Sequence, residues 1–181
     1  MEKLKLVNIL DVNDELKEKV RQWRNKEEIR KFMTNQDIIS KEEHLTWLKS
    51  LKSRTDYKAW VVFFKGAPIG LVNLSKIDDH KQSAILGIYI GENEYRGKGL
   101  GKCMRFQLMK VFFEEMRFKT LYATVLSHNI VNLKSIKKFK YRELKRIPFK
   151  NNIETIIFQL TLDDWLKWKE YLKNECVIKD R

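Results

Sequence analysis

Residues 83–117 run from a strand through a glycine-rich turn into a helix, and that succession restricts the folds open to the chain more than any other feature. "SAILGIYI" is a β-branched and apolar run, "YRGKGLGKC" follows after a short polar stretch, and Leu100, Met104, Leu108, Val111 and Phe112 then recur at helical spacing up to Arg117. Three of the chain's seven glycines lie at 97, 99 and 101. Glycine carries a conformational cost, so such clustering marks backbone that something must approach closely. At the start of a helix the free N–H groups and the macrodipole favour an anion, and Arg96, Lys98 and Lys102 add charge around it. The spacing satisfies neither G-x-x-x-x-G-K-[ST] nor G-x-G-x-x-G, so neither a Walker loop nor a dinucleotide fingerprint is read here.

The rest of the chain places this unit in an α+β domain. Leu4–Leu10 reads as a short strand and Asp14–Asn25 as a helix with Asp14 as its cap. Ser40 and Glu43 form a capping-box signature ahead of Leu45, Leu48 and Leu51. "YKAWVVFF" and "IGLVNLSKI" flank the turn residues "KGAP" and read as a hairpin. "TLYATVL" predicts a strand and Asn129–Phe139 a helix. "YRELKRIPF" and "IETIIFQLTL" predict a closing strand pair, and a last helix carries Trp165, Trp168 and Leu172 on one side. Mostly antiparallel strands with one β-α-β crossover predict a mixed sheet flanked by helices, in a single domain spanning 1–181.

The formal net charge of +13 favours an anionic partner. Cys103 and Cys176 lie far apart and form no metal-ligand spacing, so they are read as free buried thiols, and no metal is expected. No apolar run is long enough for a membrane span, and the N-terminus has no signal-type core, so the expected location is cytoplasmic with no membrane partner.

The glycine turn and the element order together resemble the GNAT acyltransferase superfamily. Its pyrophosphate motif is R/Q-x-x-G-x-G/A, matched by Arg96-Gly97-Lys98-Gly99-Leu100-Gly101. The resemblance implies the GNAT fold, with about seven strands, and acetyl-CoA as co-substrate. Backbone amides from Arg96 to Lys102 would hold the pyrophosphate, and the main chain of Ile88, Tyr89 and Ile90 would bond the pantetheine arm. A bulky residue at Gly99 is then expected to abolish acetyl-CoA binding and leave the fold intact. It further implies a pantetheine contact from Asn129, or from Asn132 in a register three residues later. The position where many members carry a tyrosine proton donor is Ile136 in the first register and Phe139 in the second. Neither can donate, so departure of the thiolate relies on water, another donor, or the thiol's own acidity.

The chemistry needs a neutral amine, hence a base or a water chain. His44, Asn73 and Thr124 are the candidates: a histidine on the second helix, and polar residues on the third strand and on the strand before Asn129. His80 reads as a solvated turn and His128 as a neighbour of the site. Within the superfamily, Arg24-Asn25, Met33, Ser40, His44, Trp47 and the "LGIY" run resemble the nucleotide-sugar N-acetyltransferases of pseudaminic acid synthesis. That resemblance implies acetylation of the 4-amino group of a UDP-4-amino-4,6-dideoxy sugar, with Arg24, Met33, His44 and Trp47 contacting an anionic nucleotide-sugar amine. Protein N-terminal acetylation and polyamine or aminoglycoside acetylation are the rival enzyme readings, both disfavoured by repulsion between a basic enzyme and a basic acceptor. From other classes come a non-catalytic acyl-CoA sensor and a nucleic-acid-binding module. The last has no RNA- or DNA-binding motif behind it, and nucleic acid is not an expected partner. An exposed apolar stripe on the last helix would permit a homodimer.

Overall fold

The structure, a computed structural model, describes residues 4–178. Its strands are β1 (Lys5–Asn8), β2 (Tyr57–Phe64), β3 (Ala67–Asp78), β4 (Ser83–Ile90), β5 (Thr120–Leu126), β6 (Arg142–Lys150) and β7 (Ile153–Thr161). The helices are α1 (Asp14–Asn25), α2 (Glu27–Arg30), α3 (Lys41–Ser50), α4 (Leu100–Lys110), α5 (Ile130–Lys138) and α6 (Leu162–Glu175). The strands form one sheet in the order β1-β2-β3-β4-β5-β7-β6, with β4 and β5 its parallel pair. This is the expected α+β sheet of seven strands, with the short α2 as an addition.

Alternating side chains divide the core between the two sheet faces. On one face Ala59, Val61 and Leu71 pack with Val20 and Trp23 of α1 and Leu48 of α3. On the other Val62, Val72, Leu86, Leu121 and Ala123 pack with Leu100, Met104 and Leu108 of α4 and with Trp165 and Leu172 of α6. Ser40 and Glu43 complete the expected capping box, whereas α1 is capped by Asn13, whose side chain accepts from the Leu16 N–H. The helix expected to reach Arg117 is α-helical only to Lys110 and continues as a π-helical turn, Val111–Glu115, where Phe112 and Phe113 enter the core. The stripe on α6 turns inward: Trp165 and Leu172 are buried in the domain's own core, while Leu166 and Tyr171 of the same helix stay exposed. No described helix is long and apolar enough to cross a membrane.

One expectation fails outright. Cys103 and Cys176 are joined in a disulfide with Cα atoms 4.7 Å apart. They stand 73 positions apart in sequence, and only the packing of α6 beside α4 brings them together. By loop-closure entropy a bridge of that span constrains the unfolded chain by ~4 kcal/mol.

Candidate active site

The two parallel strands separate where the chain has prepared for it. β4 and β5 pair from Ser83↔Thr120 to Leu86↔Ala123 and no further, although β4 continues to Ile90 and β5 to Leu126. The opening lies at the carboxyl ends of the parallel strands, where sheets of this kind bind ligands. Ile88, Tyr89 and Ile90 therefore have no strand beside them on that side. At the mouth stands Gly87, and the side chain of Asn73, directly across the β3–β4 ladder, lies against the space a Cβ there would fill. Thr124 is the first β5 residue past the paired region. Asn73 and Thr124 thus flank a floor with no side chain of its own.

The glycine turn closes one end of this opening. Gly97 and Gly99 have φ of +76° and +82°, and Gly99 is the N-cap of α4 with no side-chain cap. A Cβ on Gly97 meets nothing within 4 Å, and one on Gly101 only touches Ile90 Cδ1 at 3.7 Å. A Cβ on Gly99, in contrast, would overlap the carbonyl oxygen of Val177. Substitution at Gly99 therefore disturbs the chain's own tail, and Gly97 is the position that tests the turn by itself. The charges around the turn are partly committed. Arg96 donates from Nε and Nη2 to Ile90 O at 3.2 and 3.0 Å, and its Nη1 is 3.6 Å from Glu28. Lys102 Nζ is bonded to Glu175 at 3.0 Å, and Lys98 lies over the Tyr95 ring at 5.9 Å.

On the far side of the opening Asn129 caps α5, its Oδ1 accepting from the Asn132 N–H at 3.2 Å. Asn132 Oδ1 in turn accepts from Arg105 Nη2 at 2.6 Å. Both expected registers are therefore linked in one chain of contacts. Ile136 and Phe139 are fully buried in the core, so neither reaches the opening as a donor. Sequence reasoning missed Arg105. It is buried on α4 between the Phe139 and Tyr141 rings, with Nε and Nη1 unpartnered, and burial lowers its pKa. Its position among apolar repeats of α4 was the only available signal. A buried cation is costly to keep, and the Tyr141 hydroxyl beside it offsets only part of that cost. Arg105→Met is expected to leave the urea midpoint unchanged or to raise stability by ~1–3 kcal/mol, and a loss of stability would show that the charge is satisfied after all.

The residues expected to contact the acceptor lie on the α1–α3 face. Met33, Trp47, Tyr57 and Tyr89 pack against the same core cluster, and Trp47 meets Tyr57 edge-on at 6.0 Å. Arg24 Nη2 donates to Asn35 O at 2.5 Å and Arg30 Nη1 to Gln36 O at 2.7 Å, while Asn25 exchanges two 2.8 Å hydrogen bonds with Ile39. These side chains hold the 33–40 loop, and buried Arg24 Nη1 and Arg30 Nε are left without partners. Burial pushes the Tyr57 phenol up to about 12 and raises Tyr89 further, so both are neutral hydroxyls. Phe32 stacks near His128 at 5.2 Å and His128 Nε2 bonds Lys31 O at 3.1 Å, which ties this loop to the β5–α5 junction. His80 is exposed, as expected.

His44 is buried and its Nε2 donates to Lys17 O at 2.9 Å. The carbonyl can only accept, so the neutral ring carries its proton on Nε2, and Nδ1 alone remains for base chemistry. Burial lowers its pKa below 6.5, and the folded protein therefore binds fewer protons than the unfolded chain. Stability contributed this way is complete above about pH 6.5 and is lost as pH falls toward the folded-state pKa. Urea midpoints at pH 8 and pH 5 are expected to differ by less in His44→Asn than in the parent. Equal differences would mean that the ring is not desolvated.

A shallow hollow lined by Lys76, Lys81, Ser83 and Thr120 lies at the opposite end of the β4–β5 seam and takes no part in this arrangement. No group of metal-binding side chains occurs among the described residues.

The chain matches the acetyltransferase (GNAT) domain over residues 7–142. It belongs to the GNAT acetyltransferase family. It is 32% identical over 131 residues to acetyltransferase PseH of Campylobacter jejuni strain 81-176, covering 72% of this chain and 80% of that protein. The solved C. jejuni N-acetyltransferase PseH in complex with acetyl coenzyme A superposes with a TM-score of 0.69 at 23% identity, over 87% of this chain and 98% of that one. Spermidine N-acetyltransferase from Vibrio cholerae, solved with CoA and spermine, superposes with a TM-score of 0.83 at 18% identity, over 91% and 98%. As a GNAT enzyme the protein is an acetyl-CoA-dependent N-acetyltransferase. The open edge 88–90, the left-handed glycines and the uncapped start of α4 suit an extended cofactor with phosphates at one end.

Proposed function

We propose that this enzyme acetylates the amino group of a nucleotide-linked sugar, the 4-amino group of a UDP-4-amino-4,6-dideoxyhexose, as in pseudaminic acid synthesis. The observation that carries the reading is the pair of buried, unpartnered guanidinium N–H groups, Arg24 Nη1 and Arg30 Nε, with Arg24 beside Tyr57 and Tyr89, which pack with Met33 and Trp47 on one core cluster. A diphosphate supplies acceptors for such donors, and a uracil or a 6-deoxy methyl suits the apolar cluster.

Acetyl-CoA supplies the activated acyl group. The loop 96–102 and the main chain of 88–90 hold it, with Asn129 and Asn132 on the opposite side. Asn73 and Thr124, flanking Gly87, hold a water that relays the proton of the acceptor ammonium out to bulk solvent, and His44 Nδ1 is the alternative base. With Ile136 and Phe139 in the core, the thiolate departs without a tyrosine acid, as its own acidity allows. The test is CoA thiol release with the UDP-4-amino sugar beside a basic peptide and spermidine. Release with the sugar nucleotide alone supports the reading, and release with peptide or polyamine alone overturns the acceptor.

A further inference from the structure

The disulfide and the glycine turn meet at one place. Cys103 lies in the first turn of α4, and its bond to Cys176 draws the segment after α6 across the start of that helix. Val177 places its carbonyl oxygen directly over the Cα of Gly99. Cys176 and Ile178 pack against the main core. Glu175 accepts from Lys102 Nζ of α4 at 3.0 Å and lies 3.6 Å from Lys138 Nζ of α5. Lys102 is the principal cause holding the Glu175 carboxyl below the usual carboxylate range, with Lys138 adding to it. A carboxylate thus joins lysines from the two helices that bound the opening.

We propose that Glu175–Ile178 is a redox-latched strap over the cofactor's phosphate loop. The inference rests on the assignment of residues 96–102 to the pyrophosphate. With the Cys103–Cys176 bond closed, Glu175 occupies cations that the cofactor's phosphates would use, and Val177 covers Gly99. With the bond open, the strap is held by the two lysines, the Tyr171 hydroxyl and modest apolar contact, and acetyl-CoA displaces it.

Opening is thiol–disulfide exchange with a dithiol reductant. Its thiolate attacks the Cys176 sulfur, the S–S bond breaks, and Cys103 leaves as thiolate. The reductant's second thiolate then releases Cys176, and both cysteines take up protons. Two electrons pass to the protein and the reductant becomes a disulfide. Cys176 is the half-buried partner and Cys103 the fully buried one, so attack falls on Cys176. Closing is the reverse, with a small-molecule disulfide as oxidant.

The test is acetyl-CoA affinity by calorimetry on the full chain, oxidised with glutathione disulfide or reduced with dithiothreitol, beside Cys176→Ser and Glu175→Gln. Thiol titration and circular dichroism accompany each sample. Oxidised protein is expected to show no free thiol and to bind at least tenfold more weakly than reduced protein. Cys176→Ser should bind like the reduced form whatever the redox state, and oxidised Glu175→Gln should fall between the two. Equal affinities in both states, two free thiols after oxidation, or weaker binding in the reduced form and in Cys176→Ser would each overturn the strap. Adding Gly97→Val to Cys176→Ser separates the two assignments. Lost binding there leaves the phosphate loop standing even where the strap fails, whereas retained binding removes the loop assignment and the strap with it.

Discussion

Gly97→Val is expected to weaken acetyl-CoA binding by about 100-fold or more, equivalent to about 2.7 kcal/mol, while the protein stays folded. Gly97 sits at φ +76° and a Cβ there touches no atom of the protein. The substitution therefore acts through backbone strain of about 1–2 kcal/mol and through branched carbon placed where phosphate must approach. The control is Gly97→Asn, since asparagine accepts the left-handed region with less strain. Its melting temperature should stay near that of the parent. Calorimetric titration of reduced protein, with melting curves alongside, checks both halves. Undiminished affinity in a folded Gly97→Val protein would remove the turn from the cofactor site.

The second large effect is on stability. Trp23 on α1 is fully buried, and its ring occupies the space that a side chain on Gly91 would need. Gly91 directly follows β4, and its carbonyl accepts from Lys26 Nζ at 2.9 Å, so α1 supports the segment leading into the glycine turn. Trp23→Ala is expected to cost about 3–5 kcal/mol, a large part of the roughly 5–15 kcal/mol that holds a domain together. Urea unfolding measures it directly, and the melting temperature should fall by about 6–20 °C. A loss below about 1 kcal/mol would mean that the α1 face of the core collapses to fill the space.

Where local chemistry decided the structure, the chain could be read directly. The strands 83–90 and 120–126, the Ser40–Glu43 box and the left-handed glycines all stand as their residues demand, because each depends on neighbours in sequence. What escaped depends on distant packing. Nothing in the spacing of Cys103 and Cys176 announces that α6 ends beside the start of α4. Arg105 interrupts an apolar repeat, yet its link to Asn132 exists only once α4 and α5 lie together. Arg24 was legible as a candidate contact to the acceptor, but not as a brace that spends one nitrogen on the 33–40 loop and leaves another unpartnered. His44 carries the same lesson, since its hydrogen bond to α1 fixes the tautomer that any base role must use.

The measurement that bears most directly on the site is amide hydrogen exchange on the reduced protein, with and without saturating acetyl-CoA. Protection is expected at Ile88–Ile90 and at Gly97–Lys102, with a smaller change at Asn129–Asn132 and increased exchange at Cys176–Ile178 as the strap is displaced. Tight binding with those segments unchanged, and protection confined to other parts of the sheet, would contradict the placement of the cofactor in the opening between β4 and β5.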